Sequence, residues 1–405
     1  MAARPAGQAG TSIRWMARQE APVEGSWIEN VRVVAEAGLI ESGSVRVVNG
    51  RIAAVLNGPA SPADGAPVVD GGQRLLIPGM IDVHIHGANG HDMMDGTRAS
   101  IEEVSRACAA TGCTSFLVTS VSSTLEALLE MVDRVRDVTG QEPGASIAGI
   151  HAEGPYLNVK RRGMQNETFL RHPSLGEMGE VLGHAGPLLR MVTLAPELPG
   201  GLELTRFLRE RGVIVAVAHS DATYDEAMAA FRHGASHVTH CFNGMRPIHH
   251  RDPGLIVAAF EVPHVSLQAI VDRVHLHPAI VRLMHRLKGS GGLVLITDAL
   301  QAMGLGDGEY QFGGHAVTVQ DGVARLADGT LASSTVTMNE ALRNTVELGI
   351  PLVDAVTMAA TTPANLLGLP HKGRIAVGAD ADLVLLDEQY RVLWTMIGGR
   401  MAFRA

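Results

Sequence analysis

Between residues 80 and 298 the chain repeats one pattern: a short apolar run, a polar residue at or near its carboxyl end, then a stretch of helical periodicity. The runs are 80–86, 114–120, 146–153, 190–195, 213–219, 237–242, 266–272 and 293–298. Helical spacing separates most of them, as in 125–138, 224–233 and 278–287. Continuous apolar runs make strands covered on both faces, and strand–helix alternation supplies that cover through parallel crossovers. Eight such units predict a (β/α)8 barrel, an α/β fold of the TIM type. An open doubly wound sheet has the same alternation, but no Gly-x-Gly-x-x-Gly follows the first strand.

The two ends read as β structure. Residues 44–48 and 51–55 are β-branched runs joined by Asn49-Gly50, a pair suited to a hairpin turn whose two residues both need φ > 0. Residues 27–34, 381–386 and 390–396 also read as strands, with Gly398-Gly399 as a turn. Paired, the ends would make one small β-sandwich. The expected organisation is an unstructured extension over 1–25, sandwich segments over 26–78 and 371–405, and a metal-dependent hydrolase barrel over 79–370.

Composition matters here mainly for what it excludes. The net charge of −9 comes without any basic block, which argues against nucleic acid or an anionic membrane as partner. Any anionic ligand must be held by a local site. No apolar run approaches the roughly 18 residues of a spanning helix, and no signal-peptide core is evident. The three cysteines (Cys108, Cys113 and Cys241) form neither a disulfide framework nor a CxxC pair. A cytoplasmic protein is expected.

The polar residues at the run ends carry the chemistry. His84 and His86 end the first run, Glu153 the third, His219 the fifth and Asp298 the eighth; His240 lies near the end of the sixth and His275 just beyond the seventh. In a barrel these ends converge on one face, and two histidines spaced by two on a strand project from the same side. Each has a plainer reading alone: a hydrogen-bonded core histidine, a buried ion-pair partner at Glu153, a helix cap at Asp298. Together they predict a mixed N/O site for Zn2+ or Fe2+, with one or two ions per subunit. Only Lys160, Lys288 and Lys372 are present and none ends a predicted strand, which disfavours a carboxylated-lysine bridge and leaves Glu153 as the bridging or primary carboxylate. Cys241, next to His240, would alternate toward the helices, so burial in the core is the simpler reading.

At these residues the chain resembles a known group. Pro78-Gly79-Met80-Ile81-Asp82-Val83-His84-Ile85-His86-Gly87 resembles the opening motif of the amidohydrolase superfamily. His151-Ala152-Glu153-Gly154-Pro155, His219-Ser220-Asp221-Ala222-Thr223-Tyr224, Thr239-His240-Cys241-Phe242-Asn243-Gly244-Met245-Arg246-Pro247, Arg251-Asp252-Pro253-Gly254 and Thr297-Asp298-Ala299 are together similar to N-acetylglucosamine-6-phosphate deacetylases, over residues 27–403. The resemblance implies a homodimer that removes the N-acetyl group of an amino-sugar 6-phosphate. By position it implies Glu153, His219 and His240 around the principal metal, His84 and His86 for a second, and Asp298 as the catalytic aspartate. Asn243, the backbone at Gly244, and His275 would contact the phosphate, with Arg251 contributed by the neighbouring subunit.

Three positions depart from that pattern. Gln165 stands where the family has a histidine facing the reacting N-acetyl group, Gly244 where it has alanine, and Arg273 follows Asp272 where it has glycine. A Gln amide donates neutral hydrogen bonds but cannot become cationic. Arg273 could add a phosphate or dimer contact, or be a solvated surface residue. In the implied reaction a metal-activated water attacks the amide, while Asp298 takes its proton and returns it to the departing amine. The galactosamine epimer is an alternative substrate, a catalytically silent sugar-phosphate-binding homodimer is a second alternative, and a cyclic-amide hydrolase is disfavoured by the lysine placement.

Overall fold

The computed structural model describes residues 25–60 and 65–405; the expectation for the amino-terminal extension falls outside them, apart from Gly25. Eight parallel strands form one sheet in sequence order: Met80–Ile85, Cys113–Thr119, Ser146–Glu153, Leu189–Leu194, Ile214–Val217, His237–Val238, Ser266–Ile270 and Leu293–Ile296. The eighth strand returns to the first, nearly closing the barrel. Asp298 donates its N–H to the His84 carbonyl (2.8 Å) and His86 donates to that of Ala299 (2.9 Å). The Thr297 hydroxyl donates to Asp82 at 2.5 Å, across the same seam. The seam therefore sets the first strand's histidines beside Asp298.

Ile81, Val83, Leu117, Met191, Ile270, Val294 and Ile296 share the apolar cluster that fills the barrel, as inward layers of such a fold do. Strict alternation after Ile81 and Val83 would turn His84 outward. A register shift between Asp82 and Ile85 against the second strand changes the parity, so His84 and His86 reach the mouth. A second cluster lies between strands and helices and includes Cys241, which is fully buried as expected.

Several helices begin where hydroxyls can cap them. Thr124 caps Leu125–Val138, and Thr223 with Glu226 forms a capping box ahead of Tyr224–His233. The chain ends share one seven-stranded sheet, in which Leu383–Leu386 pairs antiparallel with Val68–Pro78. Asn49 (φ 52°) and Gly50 (φ 70°) turn between Gly38–Val48 and Arg51–Asn57. A three-stranded sheet, Gly308–Phe312, His315–Gln320 and Val323–Arg325, follows the eighth barrel strand and brings the Phe312 ring to 5.3 Å from that of His86. Among the described residues no helix is long and apolar enough to cross a membrane.

Candidate metal centre and active site

Three of the candidate residues share one backbone device. His219, His240 and Asp298 each lie two residues past the end of a barrel strand, and all have positive φ (45°, 30° and 49°). A left-handed residue stops ladder pairing and re-aims its side chain, at a strain that surrounding packing must hold. For the same reason the fifth and sixth strands stop at Val217 and Val238, short of the apolar runs 213–219 and 237–242.

The re-aimed side chains meet in two buried groups, His84/His86/Asp298 and Glu153/His219/His240; within each, one ligand atom per residue lies within 4.8 Å of the others. Glu153 joins them. Its Oε1 is 3.0 Å from His240 Nε2 and 3.3 Å from His219 Nε2, and its Oε2 is 3.6 Å from His86 Nε2. Asp298 Oδ1 lies 3.2 Å from His86 Nε2 and 3.4 Å from His84 Nε2.

Outer contacts set the ring tautomers. His219 donates from Nδ1 to the Arg161 carbonyl (2.9 Å), His84 to Gln268 Oε1 (3.1 Å) and His86 to the Thr119 carbonyl (3.3 Å). Each of these three Nε2 atoms then turns a lone pair inward, yet those of His84 and His86 are 3.0 Å apart; His219 Nε2 lies 3.1 Å from that of His240, whose Nδ1 has no hydrogen-bond partner among the described residues. Facing lone pairs repel unless a cation or a proton lies between them, and two buried carboxylates demand positive charge as well. This donor set fits divalent metal.

The titration directions agree. Burial would raise Glu153, but the imidazoles of His84, His219 and His240 hold its carboxyl well below the usual range. Burial would likewise raise Asp298, and His84 and His86 pull it down to about 2. Burial would lower His86, whereas its hydrogen bond to Asp298 and the charge of Glu153 lift it to about 9.

A cavity of about 220 Å3 opens beside these groups, lined by His86, Glu153, Gln165, His219, His240, Asn243, Gly244, His275, Asp298, Thr330, Leu331 and Ser333. His275 is held by Asp272, whose Oδ2 accepts from Nδ1 at 2.7 Å. Gln165 is tied at both ends: its amide donates to Glu153 Oε2 (2.6 Å) and accepts from the Ser122 N–H (2.8 Å). Arg251 is exposed on the loop before Gly254, its guanidinium bonded to His250, and does not line the cavity of its own chain. Arg273, in left-handed backbone at φ 68°, pairs with Glu347 beside a larger polar groove of about 620 Å3, away from the imidazoles. Sequence reasoning missed Gln268, Ser122 and Ser333. Gln268 alone left a trace, as a polar residue inside an apolar run.

A parallel barrel with imidazoles and carboxylates gathered at the carboxyl ends of its strands defines the metal-dependent barrel hydrolases as a class. The Amidohydrolase family profile matches residues 75–402. N-acetylglucosamine-6-phosphate deacetylase of Lysinibacillus sphaericus is 35% identical over 380 residues, 92% of this chain and 97% of that protein. N-acetylgalactosamine-6-phosphate deacetylase of Escherichia coli O157:H7 is 35% identical over 374 residues, 92% of this chain and 97% of that one. A mutant N-acetyl-D-glucosamine-6-phosphate deacetylase from Mycobacterium smegmatis, solved in complex with N-acetyl-D-glucosamine-6-phosphate, superposes with a TM-score of 0.87 at 37% identity, covering 94% of this chain and 99% of that one. The chain belongs to the amidohydrolase family, among its N-acetylglucosamine-6-phosphate deacetylases.

Proposed function

We propose that this protein hydrolyses the N-acetyl group of N-acetylglucosamine 6-phosphate to glucosamine 6-phosphate and acetate. The observation that carries the reading is Glu153, His219, His240 and Asp298 facing one cavity, in a chain similar over nine-tenths of its length to such deacetylases. Glu153, His219 and His240 would hold the principal cation, Zn2+ or Fe2+, and His84 and His86 with Asp298 could hold a second. A cation bound there acidifies water and polarises the amide carbonyl. Asp298, ionised and at the cavity edge, accepts the proton of the attacking water and returns it to the amide nitrogen as the C–N bond breaks. Gln165 spends one N–H on Glu153 and keeps the other for the acyl oxygen.

The phosphate lies far from the bond being broken, so its contacts orient the sugar. His275, Asn243 and the Gly244 backbone line the cavity and would supply donors. Arg251, which does not line its own cavity, would reach the neighbouring active site in a homodimer. The galactosamine epimer stays a second reading, because the galactosamine-named relative is, at 35%, as identical to this chain as the glucosamine-named protein of Lysinibacillus sphaericus. Acetate release from both 6-phosphates and from unphosphorylated N-acetylglucosamine tests the proposal. Fast, chelator-sensitive release from N-acetylglucosamine 6-phosphate supports it; preference for the other epimer corrects the sugar, and release from neither phosphate overturns it.

A further inference from the structure

Ser333 is the one wall residue of the active-site cavity that combines left-handed backbone with a contact to Asp298 but takes no part in either group of candidate metal ligands. It is about nine-tenths buried and has φ of 58°, a region that favours glycine over a residue with a side chain. Its hydroxyl Oγ lies 3.4 Å from Asp298 Oδ1, on which it donates. The adjoining main chain is pinned to the same segment. Ser334 donates its N–H to the Asp298 carbonyl (2.8 Å), and Leu300 donates to that of Ser334 (3.0 Å). Ser334 thus fixes the backbone, and the strained Ser333 is left with one visible use for its side chain.

That use has a direction. Asp298 Oδ1 already faces the Nε2 atoms of His84 and His86, and Ser333 adds a third contact on the same oxygen. Asp298 Oδ2 takes no hydrogen bond from the described residues. We propose that Ser333 is a positioning residue that orients the Asp298 carboxylate, anchoring Oδ1 at the imidazoles and leaving Oδ2 to the cavity for proton transfer. Strain kept at a site residue is expected where the side chain has such a task. The assignment rests on the deacetylase reading for its kinetic consequence, but not for its geometry.

Ser333→Gly and Ser333→Ala separate the hydroxyl from the backbone. Glycine suits φ of 58° better than serine, so a purely structural role makes Ser333→Gly at least as stable and as active as the parent. The positioning role expects both variants of the metal-replete protein to lose roughly tenfold in kcat with KM within about twofold, a part of what a general base contributes. It expects the Tm of Ser333→Gly to be unchanged or higher. Protein loaded with Co2+ gives a readout independent of turnover: both variants should shift the visible Co2+ bands at unchanged metal content. Parent-level kcat together with unshifted bands in Ser333→Gly overturns the assignment, as does a loss confined to KM. A parent protein without acetate release fails the deacetylase reading alone, and the Co2+ bands then decide the role of Ser333.

Discussion

Asp298 illustrates how much of this chemistry is set by single side chains. Its carboxyl is held at about 2 despite burial, because His84 and His86 lie against it. It is therefore ionised and able to accept a proton at any neutral pH. Asp298→Asn is expected to lower kcat by about 10²–10⁴-fold while the principal cation at Glu153, His219 and His240 is retained; near-normal turnover of the loaded variant would remove Asp298 from proton transfer. Gln165 acts one contact further out. Without its N–H on Glu153, Gln165→Ala is expected to weaken metal affinity by about 10–100-fold, read by competition with a chelator. His275 supplies a pH dependence. Burial would lower its imidazole, but Asp272 raises it above the ordinary value of about 6.5. The ring is then cationic on the acid side and loses its charge as pH rises through that raised value. KM for the phosphorylated sugar should climb as pH rises through that raised value, and Asp272→Asn should move the climb to lower pH. An unmoved KM profile would mean that His275 does not bind phosphate.

At the scale of elements, the barrel strands act as mounts whose ends are bent to aim ligands. Gly87 shows how little slack the seam has. A Cβ there would sit 2.4 Å from the His91 carbonyl oxygen and 2.9 Å from the Gln301 nitrogen, both backbone atoms. Gly87→Ala is expected to destabilise by about 1–3 kcal/mol and to disturb His86, seen as a lower Tm together with lost metal. This level was also the most legible in the sequence. Helices over 125–138 and 224–233 have the bounds that helical spacing implies, and Asn49-Gly50 turns as its φ requirement demands. The sixth strand was over-read, since left-handed His240 ends pairing two residues after Val238 and periodicity carries no trace of backbone handedness. The three-stranded sheet from Gly308 escaped because its strands are short and half exposed, with Gly313-Gly314 between two of them. The six residues the structure gathers were legible because each stands out as polar at the end of an apolar run. Ser333 and Ser122 were not, for they meet the site only through chain crossings that no local pattern records.

For the whole molecule, the barrel provides a buried, cation-demanding centre, and the proposed dimer provides the distant grip on phosphate. A mixture of two variants tests that division. In a mixed dimer of Asp298→Asn and Arg251→Ala, the subunit that keeps Asp298 faces a partner that keeps Arg251. One fully native site is thereby restored, and mixing two crippled proteins should recover a substantial part of the activity. Unchanged activity on mixing, once subunit exchange is verified by mass, would place Arg251 outside the neighbouring site. The central claim, that this centre hydrolyses the amide by cation-dependent chemistry through Asp298, is tested most directly by one titration. Chelator-stripped protein would receive Zn2+ or Fe2+ stepwise while acetate release from N-acetylglucosamine 6-phosphate is followed, with Asp298→Asn loaded identically beside it. The expected result is no release from stripped protein, a rise over the first equivalents of metal, and almost none from the variant. Release that persists without metal, or that the variant matches, would contradict the account.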